Sequence, residues 1–196
     1  MSKYIILTVP HSYCLQHTNY RICDKRSLES ADILSNKLKN KNPNIKIILY
    51  PNEEMLRSEC DMNRPTCRDT HYRENLDNLI NTILSRGDSI SWILDMHSFP
   101  YYSSWYTWYR KNDYKIVFLY LLQSPFKEYK IFHNNLQSYR EIGFIEGSLY
   151  NDIILTSIQK GIKSILIESL EDHELFPNNE IDKYFDIIGE IILNNI

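Results

Sequence analysis

Short runs of nearly unbroken apolar residues alternate along this chain with stretches whose apolar residues recur every three or four positions. Few folds satisfy both patterns at once. Tyr4 to Val9, Ile45 to Tyr50, Ile90 to Asp95, Ile116 to Leu122 and Ser164 to Ile167 have strand length and little alternation. Such runs suit strands covered on both faces. Between them, Leu28, Ala31, Leu34 and Leu38 fall on one helical face, with Ser27 as N-cap. Leu76, Leu79, Ile80, Ile83 and Leu84 form a second stripe that stops at Gly87, and further helices are expected over 127–141, 152–160 and 181–193. This order predicts an α/β fold: one domain over residues 1–196, a three-layer sandwich whose mostly parallel central sheet is flanked by helices.

Several function classes lose support at once. A net charge of -3 leaves no basic footprint for nucleic acid. No apolar run approaches the ~20 residues of a spanning helix, and nothing favours a membrane surface. The five glycines form neither a dinucleotide-binding nor a P-loop pattern. The opening MSKYIILTVPHS reads as a first strand rather than a signal peptide. Cys14, Cys23, Cys60 and Cys67 lack CxxC spacing and read as reduced thiols in a cytoplasmic protein.

The informative polar residues fall where strands end. His11 follows the first run, His97 and Ser98 follow the third, and Glu168 follows the run Ser164-Ile165-Leu166-Ile167. In open α/β sheets the carboxyl ends of parallel strands line the ligand crevice. Two imidazoles and a carboxylate are what a catalytic zinc site needs, with a fourth position left for water. The third ligand is open among Asp24, Glu29 and His17, and Asp24 is also placed to favour a helix N-terminus. Asp95, two residues before His97, is a candidate to orient that ring. In the loop 58–65, Asn63 and Arg64 have the chemistry to hold a carboxylate, or simply form a turn with the arginine in water. The aromatic run from Tyr101 to Tyr109 either walls the site or packs as a strand or hairpin on the core.

Four segments carry a family likeness. PHS after the first run, DMNRP in the second loop, DMHSFP at the third strand and ILIES near the end resemble the N-formylglutamate amidohydrolase family, in the same order. The likeness spans residues 4–172, and DMNRP and DMHSFP are its specific elements. The plan is also similar to zinc carboxypeptidases, aspartoacylases and peptidoglycan amidases. The resemblance implies a phosphorylase/hydrolase-like fold and zinc-dependent cleavage of a C–N amide bond in a small carboxylate-bearing substrate, such as an N-acyl amino acid. It implies His11, Asp24 and His97 as metal ligands, Asn63 and Arg64 as the clamp for a substrate carboxylate, and Glu168 as general base and acid. The chain departs from the family pattern at Tyr13, where a small residue is expected. The alternative is a non-catalytic domain of the same fold that binds a carboxylate or a protein partner.

Overall fold

A computed structural model describes residues 1–14, 23–101, 106–147 and 151–196. Its six strands are β1 (Lys3–Val9), β2 (Lys46–Pro51), β3 (Ser89–Phe99), β4 (Ile116–Tyr120), β5 (Ile142–Glu146) and β6 (Lys163–Leu170). The helices are α1 (Ser27–Lys41), α2 (His71–Ser85), α3 (Thr107–Lys111), α4 (Glu128–Leu136), α5 (Asp152–Gln159) and α6 (Asn178–Leu193). The strands form one sheet in the order β2-β1-β3-β6-β4-β5. β2, β1, β3 and β6 run parallel, whereas β4 meets β6 antiparallel and pairs with β5 in parallel. The expected mostly parallel sandwich is therefore present, with a reversed pair at one side.

The two faces of the sheet explain the burial. Ile5, Leu7, Trp92, Leu94, Met96, Ile165 and Ile167 pack on one face with Ala31, Leu34 and Leu38 of α1 and Ile188 and Ile192 of α6. On the other, Ile6 and Ile93 meet Leu76, Ile80 and Ile83 of α2 and Ile153 of α5. With both faces covered, the central strands show no polar alternation except where the site requires it.

Several expectations are corrected. β3 continues to Phe99 and β6 to Leu170, so His97, Ser98 and Glu168 lie inside strands rather than beyond their ends. Ser27 is the first residue of α1 and Arg26 holds the cap position, while Ser27 Oγ donates to the Asp24 carbonyl at 2.8 Å. The helix expected over 127–141 stops at Leu136, which leaves room for β5. That strand is short and carries Gly143, where a Cβ would come within 2.6 Å of the Tyr114 ring. The chain thus gives up strand propensity there for close packing of an aromatic.

The cysteines are corrected as well. They are not free thiols: Cys14 pairs with Cys23 and Cys60 with Cys67, at Cα separations of 5.3 and 5.8 Å. Both separations are ordinary for disulfides. Spacing rules written for metal-binding CxxC pairs do not detect such bridges. Among the described residues, no helix is long and apolar enough to cross a membrane.

A buried ion pair fixes the loop between β2 and α2. Arg73 Nη2 donates to Asp152 Oδ2 at 2.8 Å, and Arg73 Nη1 donates to the Met62 carbonyl at 2.8 Å. The Asp152 amide donates in turn to the Asn63 carbonyl at 2.9 Å. Both side chains of the pair are almost fully buried, so removing one leaves an uncompensated charge. Asp152→Ala is expected to lower stability by about 3–5 kcal/mol, read from the urea midpoint at constant slope. An unchanged midpoint would contradict this account of the loop.

Candidate functional site

The register of the sheet sets one side of the site. Parallel pairing of β3 with β6 puts His97 directly opposite Glu168, so the two side chains stand on the same face. Asp95, two positions earlier on β3, shares that face and sits opposite Thr8 of β1. A fully buried aspartate is costly unless its oxygens are engaged. Here Thr8 Oγ1 donates to Asp95 Oδ1 at 2.7 Å, and Asn151 Nδ2 donates to Oδ2 at 3.0 Å.

The other side is built by loops. His11 leaves the end of β1 and Asp24 stands just ahead of α1, held by its amide donating to the His11 carbonyl at 2.9 Å. Asp24 Oδ2 lies 3.2 Å from His11 Nδ1 and 2.7 Å from His97 Nδ1, so one carboxylate oxygen serves both rings. The ring centroids are 4.8 Å apart and nearly perpendicular. The candidate ligand atoms of His11, Asp24 and His97 all lie within 4.8 Å of one another, and all three residues are buried.

Each imidazole is backed by a second carboxylate. His11 Nε2 lies 2.9 Å from Asp61 Oδ1, and His97 Nε2 lies 3.0 Å from Asp95 Oδ2. Such partners fix the tautomer and orientation of metal-binding histidines. Arg57 Nη1 donates to Asp24 Oδ1 at 3.0 Å, which occupies the oxygen turned away from the rings. The donor set of two nitrogens and one carboxylate oxygen therefore fits zinc, and other divalent ions with similar preferences.

The electrostatics agree with a cation site. Burial alone would raise the Asp24 carboxyl, but charge and hydrogen bonds from His11 and His97 hold it well below the usual range. Burial works against His97 ionisation, yet Asp95 and Asp24 push its pKa up to about 10. Four carboxyl groups, those of Asp24, Asp61, Asp95 and Glu168, crowd two guanidinium groups, those of Arg57 and Arg64. Without a further cation, a proton on His97 supplies part of the missing positive charge.

Glu168 differs from the other three. Burial, then the negative charge of Asp24, raise its carboxyl to about 7, against the opposing influence of His97, Tyr109 and Arg57. It accepts a hydrogen bond from Tyr109. Its Oε2, like Asn63 Oδ1, is a buried polar atom with no hydrogen-bond partner among the described residues. Both residues line a pocket of about 140 Å³ together with Arg57, Asp61, Arg64 and His97. Leu119, Leu121, Ile154 and Leu166 add apolar lining.

The expected site residues thus converge, with changes of detail. His11, Asp24 and His97 meet, and Glu168, Asn63 and Arg64 share the adjoining pocket. Asn63 is drawn toward the histidines, its side-chain amide 2.9 Å from His97 Nε2. Arg64 is 49% exposed and lies 3.3 Å from Asp61. Glu29 is engaged elsewhere, accepting from Arg26 Nε at 3.1 Å and from Asn178 at 2.8 Å. His17 lies outside the described residues, as do 102–105 of the aromatic run.

Of the described part, residues 107–109 lie in α3 rather than in a strand or hairpin, and Tyr106 and Tyr109 pack on Phe99. Sequence reasoning missed Asp61 and Arg57, and marks Tyr109 only as the end of the aromatic run. Asp61 is visible within DMNRP. Nothing in the sequence marks Arg57.

Fold and site together define a class: an α/β domain with a buried His-Asp-His group that can hold a metal ion beside an open pocket. No protein-family model and no curated protein sequence matches the chain. Solved structures do resemble it. The gene product Atu2144 from Agrobacterium tumefaciens is 12% identical with a TM-score of 0.66, over 99% of this chain and 90% of that one. The N-acetylmuramoyl-L-alanine amidase AmiC2 of Nostoc punctiforme is 12% identical with a TM-score of 0.54, over 97% and 95%. The catalytic domain of the CD27L endolysin targeting Clostridia Difficile is 16% identical with a TM-score of 0.55, over 100% and 99%. At such identities the likeness is one of fold.

Proposed function

We propose that this chain is a metal-dependent hydrolase that cleaves a C–N amide bond in a small carboxylate-bearing substrate, with zinc as its ion. The observation that carries the reading is Glu168, whose buried Oε2 is unengaged, lining the pocket that also holds His97 of the metal-competent group. The fold shared with an N-acetylmuramoyl-L-alanine amidase supports amide chemistry. The four motifs support a relation to the N-formylglutamate amidohydrolases and an N-acyl amino acid as substrate.

His11, Asp24 and His97 would hold the ion, with Asp61 and Asp95 setting the rings. A divalent ion in such a site acidifies a bound water and polarises a carbonyl. Glu168, whose carboxyl is held near 7, accepts a proton from water and returns it to the leaving nitrogen. Arg64 and Asn63 bind the substrate carboxylate, so the scissile carbonyl is presented in one orientation.

Metal analysis of the purified protein, together with amine release from a panel of N-acyl amino acids, tests the reading. Stoichiometric zinc and turnover are expected. Carefully purified protein without metal, unaffected in stability by chelator, would instead identify a non-catalytic domain. Arg64→Ala is expected to raise KM about 10- to 100-fold, the loss of a charged hydrogen bond, with kcat little changed. Unchanged kinetics on every carboxylate substrate would remove Arg64 from the clamp.

A further inference from the structure

The two halves of the metal-competent group are held by different means. His97, Asp95 and Glu168 stand on central strands, where ladder hydrogen bonds and both packed faces fix them. His11, Asp24 and Asp61 stand outside the strands and helices. Each disulfide closes a loop whose ends carry these residues. The first joins Cys14 to Cys23; His11 lies just before that loop and Asp24 directly follows Cys23. The second joins Cys60 to Cys67, with Asp61 directly after Cys60 and Asn63 and Arg64 inside the loop. The segments at the two bridges meet at the site itself, through His11 Nε2 to Asp61 at 2.9 Å and Arg57 to Asp24 at 3.0 Å.

We propose that the two disulfides are positioning elements of the metal centre, so that the oxidised chain is the form that binds metal tightly and reduction loosens it. The proposal rests on the metal-centre reading above. A carboxylate presented from an irregular loop has many positions open to it, and a covalent crosslink next to it removes most of them. Cys23 and Cys67 are buried, Cys60 is half-buried and Cys14 is exposed, so a reductant reaches the first bridge through Cys14. A dithiol would transfer two electrons and two protons to each bridge, leaving two cysteine thiols and becoming a cyclic disulfide itself. A chain organised this way suits an oxidising environment, contrary to the reduced state that cysteine spacing suggests.

The test compares wild type with two double variants, Cys14→Ser/Cys23→Ser and Cys60→Ser/Cys67→Ser, which cannot offer new thiol ligands to zinc. Zinc affinity is measured by competition with a chromophoric chelator, and thiols are counted in denaturant. The air-oxidised wild type should show no free thiol. Each double variant should bind zinc about 10- to 100-fold more weakly, the range for losing support behind metal ligands. Unchanged affinity in both folded variants, or four free thiols in the air-oxidised protein, would overturn the proposal.

Hydrogen exchange at the Asp24 and Arg64 amides, bonded to His11 and Asp61 carbonyls at 2.9 and 2.8 Å, gives a readout independent of metal. If wild type binds no zinc, the function above fails, and exchange alone decides this proposal. Faster exchange in the variants sustains the positioning role; unchanged exchange refutes it. Should a variant fail to fold, dithiol-reduced and alkylated wild type takes its place, judged on the same exchange and affinity criteria.

Discussion

His97→Ala is expected to abolish zinc binding and turnover together. The residue touches three other side chains of the site: its Nδ1 faces Asp24 at 2.7 Å, while its Nε2 meets Asp95 at 3.0 Å and the Asn63 amide at 2.9 Å. Removing a residue that merely supports a ligand typically costs about 10- to 100-fold in affinity, so losing one of three ligands should exceed that.

The change also removes the positive charge that the metal-free site carries on His97. A histidine raised to about 10 contributes stability that is complete below about 6.5 and is lost as pH rises through about 10. At neutral pH the metal-free variant should therefore be several kcal/mol less stable than metal-free wild type, on the order of 3–5 kcal/mol for breaking a buried pair. His97→Gln, which fills the space and can still hydrogen-bond, guards against loss of the fold. Zinc content by elemental analysis, with amine release, decides the matter. Stoichiometric zinc with undiminished turnover in either variant would remove His97 from the ligand set.

The parts of this molecule that were legible in sequence are those fixed by the sheet. β1, β3 and β6 are buried on both faces, so they read as apolar runs, and a histidine or glutamate breaking such a run is conspicuous. The position of Asp95 on one face with His97 follows from the two-residue period of a strand. What sequence could not supply is set by contacts between segments far apart in the chain.

The choice of Asp24 over Glu29 is one such case. Glu29 stands second to Asp24 as a sequence candidate, and the structure removes it: buried Arg26 claims it, and Arg26 itself is held by carbonyls of Leu170 and Phe176. Arg57 gains its place only because the loop after β2 folds back against Asp24. The cysteines read as reduced thiols because they lack CxxC spacing, whereas the pairs, at separations of 9 and 7, close loops. β5 escaped notice for want of length, with Gly143 breaking its apolar run where Tyr114 packs.

Glu168→Gln should separate catalysis from binding. The amide keeps the shape and polarity of the side chain but neither accepts nor carries the proton, so turnover should fall by about 10²- to 10⁴-fold with zinc retained. The same substitution should act on stability in the opposite direction. Because the Glu168 carboxyl is raised to about 7 in the folded chain, the folded state holds a proton that the unfolded state releases near 4.5. The penalty is absent below about 4.5, grows as pH rises, and is complete above about 7, on the order of 3 kcal/mol.

Metal-free Glu168→Gln should therefore be more stable than metal-free wild type at pH 8, with the gain shrinking toward pH 5. A residue retained only for packing would show the pH-dependent gain, which follows from burial, but no loss of turnover. A carboxylate kept at a buried position at a cost in stability, with one oxygen unengaged and the residue lining the pocket, is the pattern expected of a group selected for proton transfer. Equal unfolding midpoints for the two metal-free proteins from pH 5 to 8, with turnover intact, would show that Glu168 has no part in the chemistry.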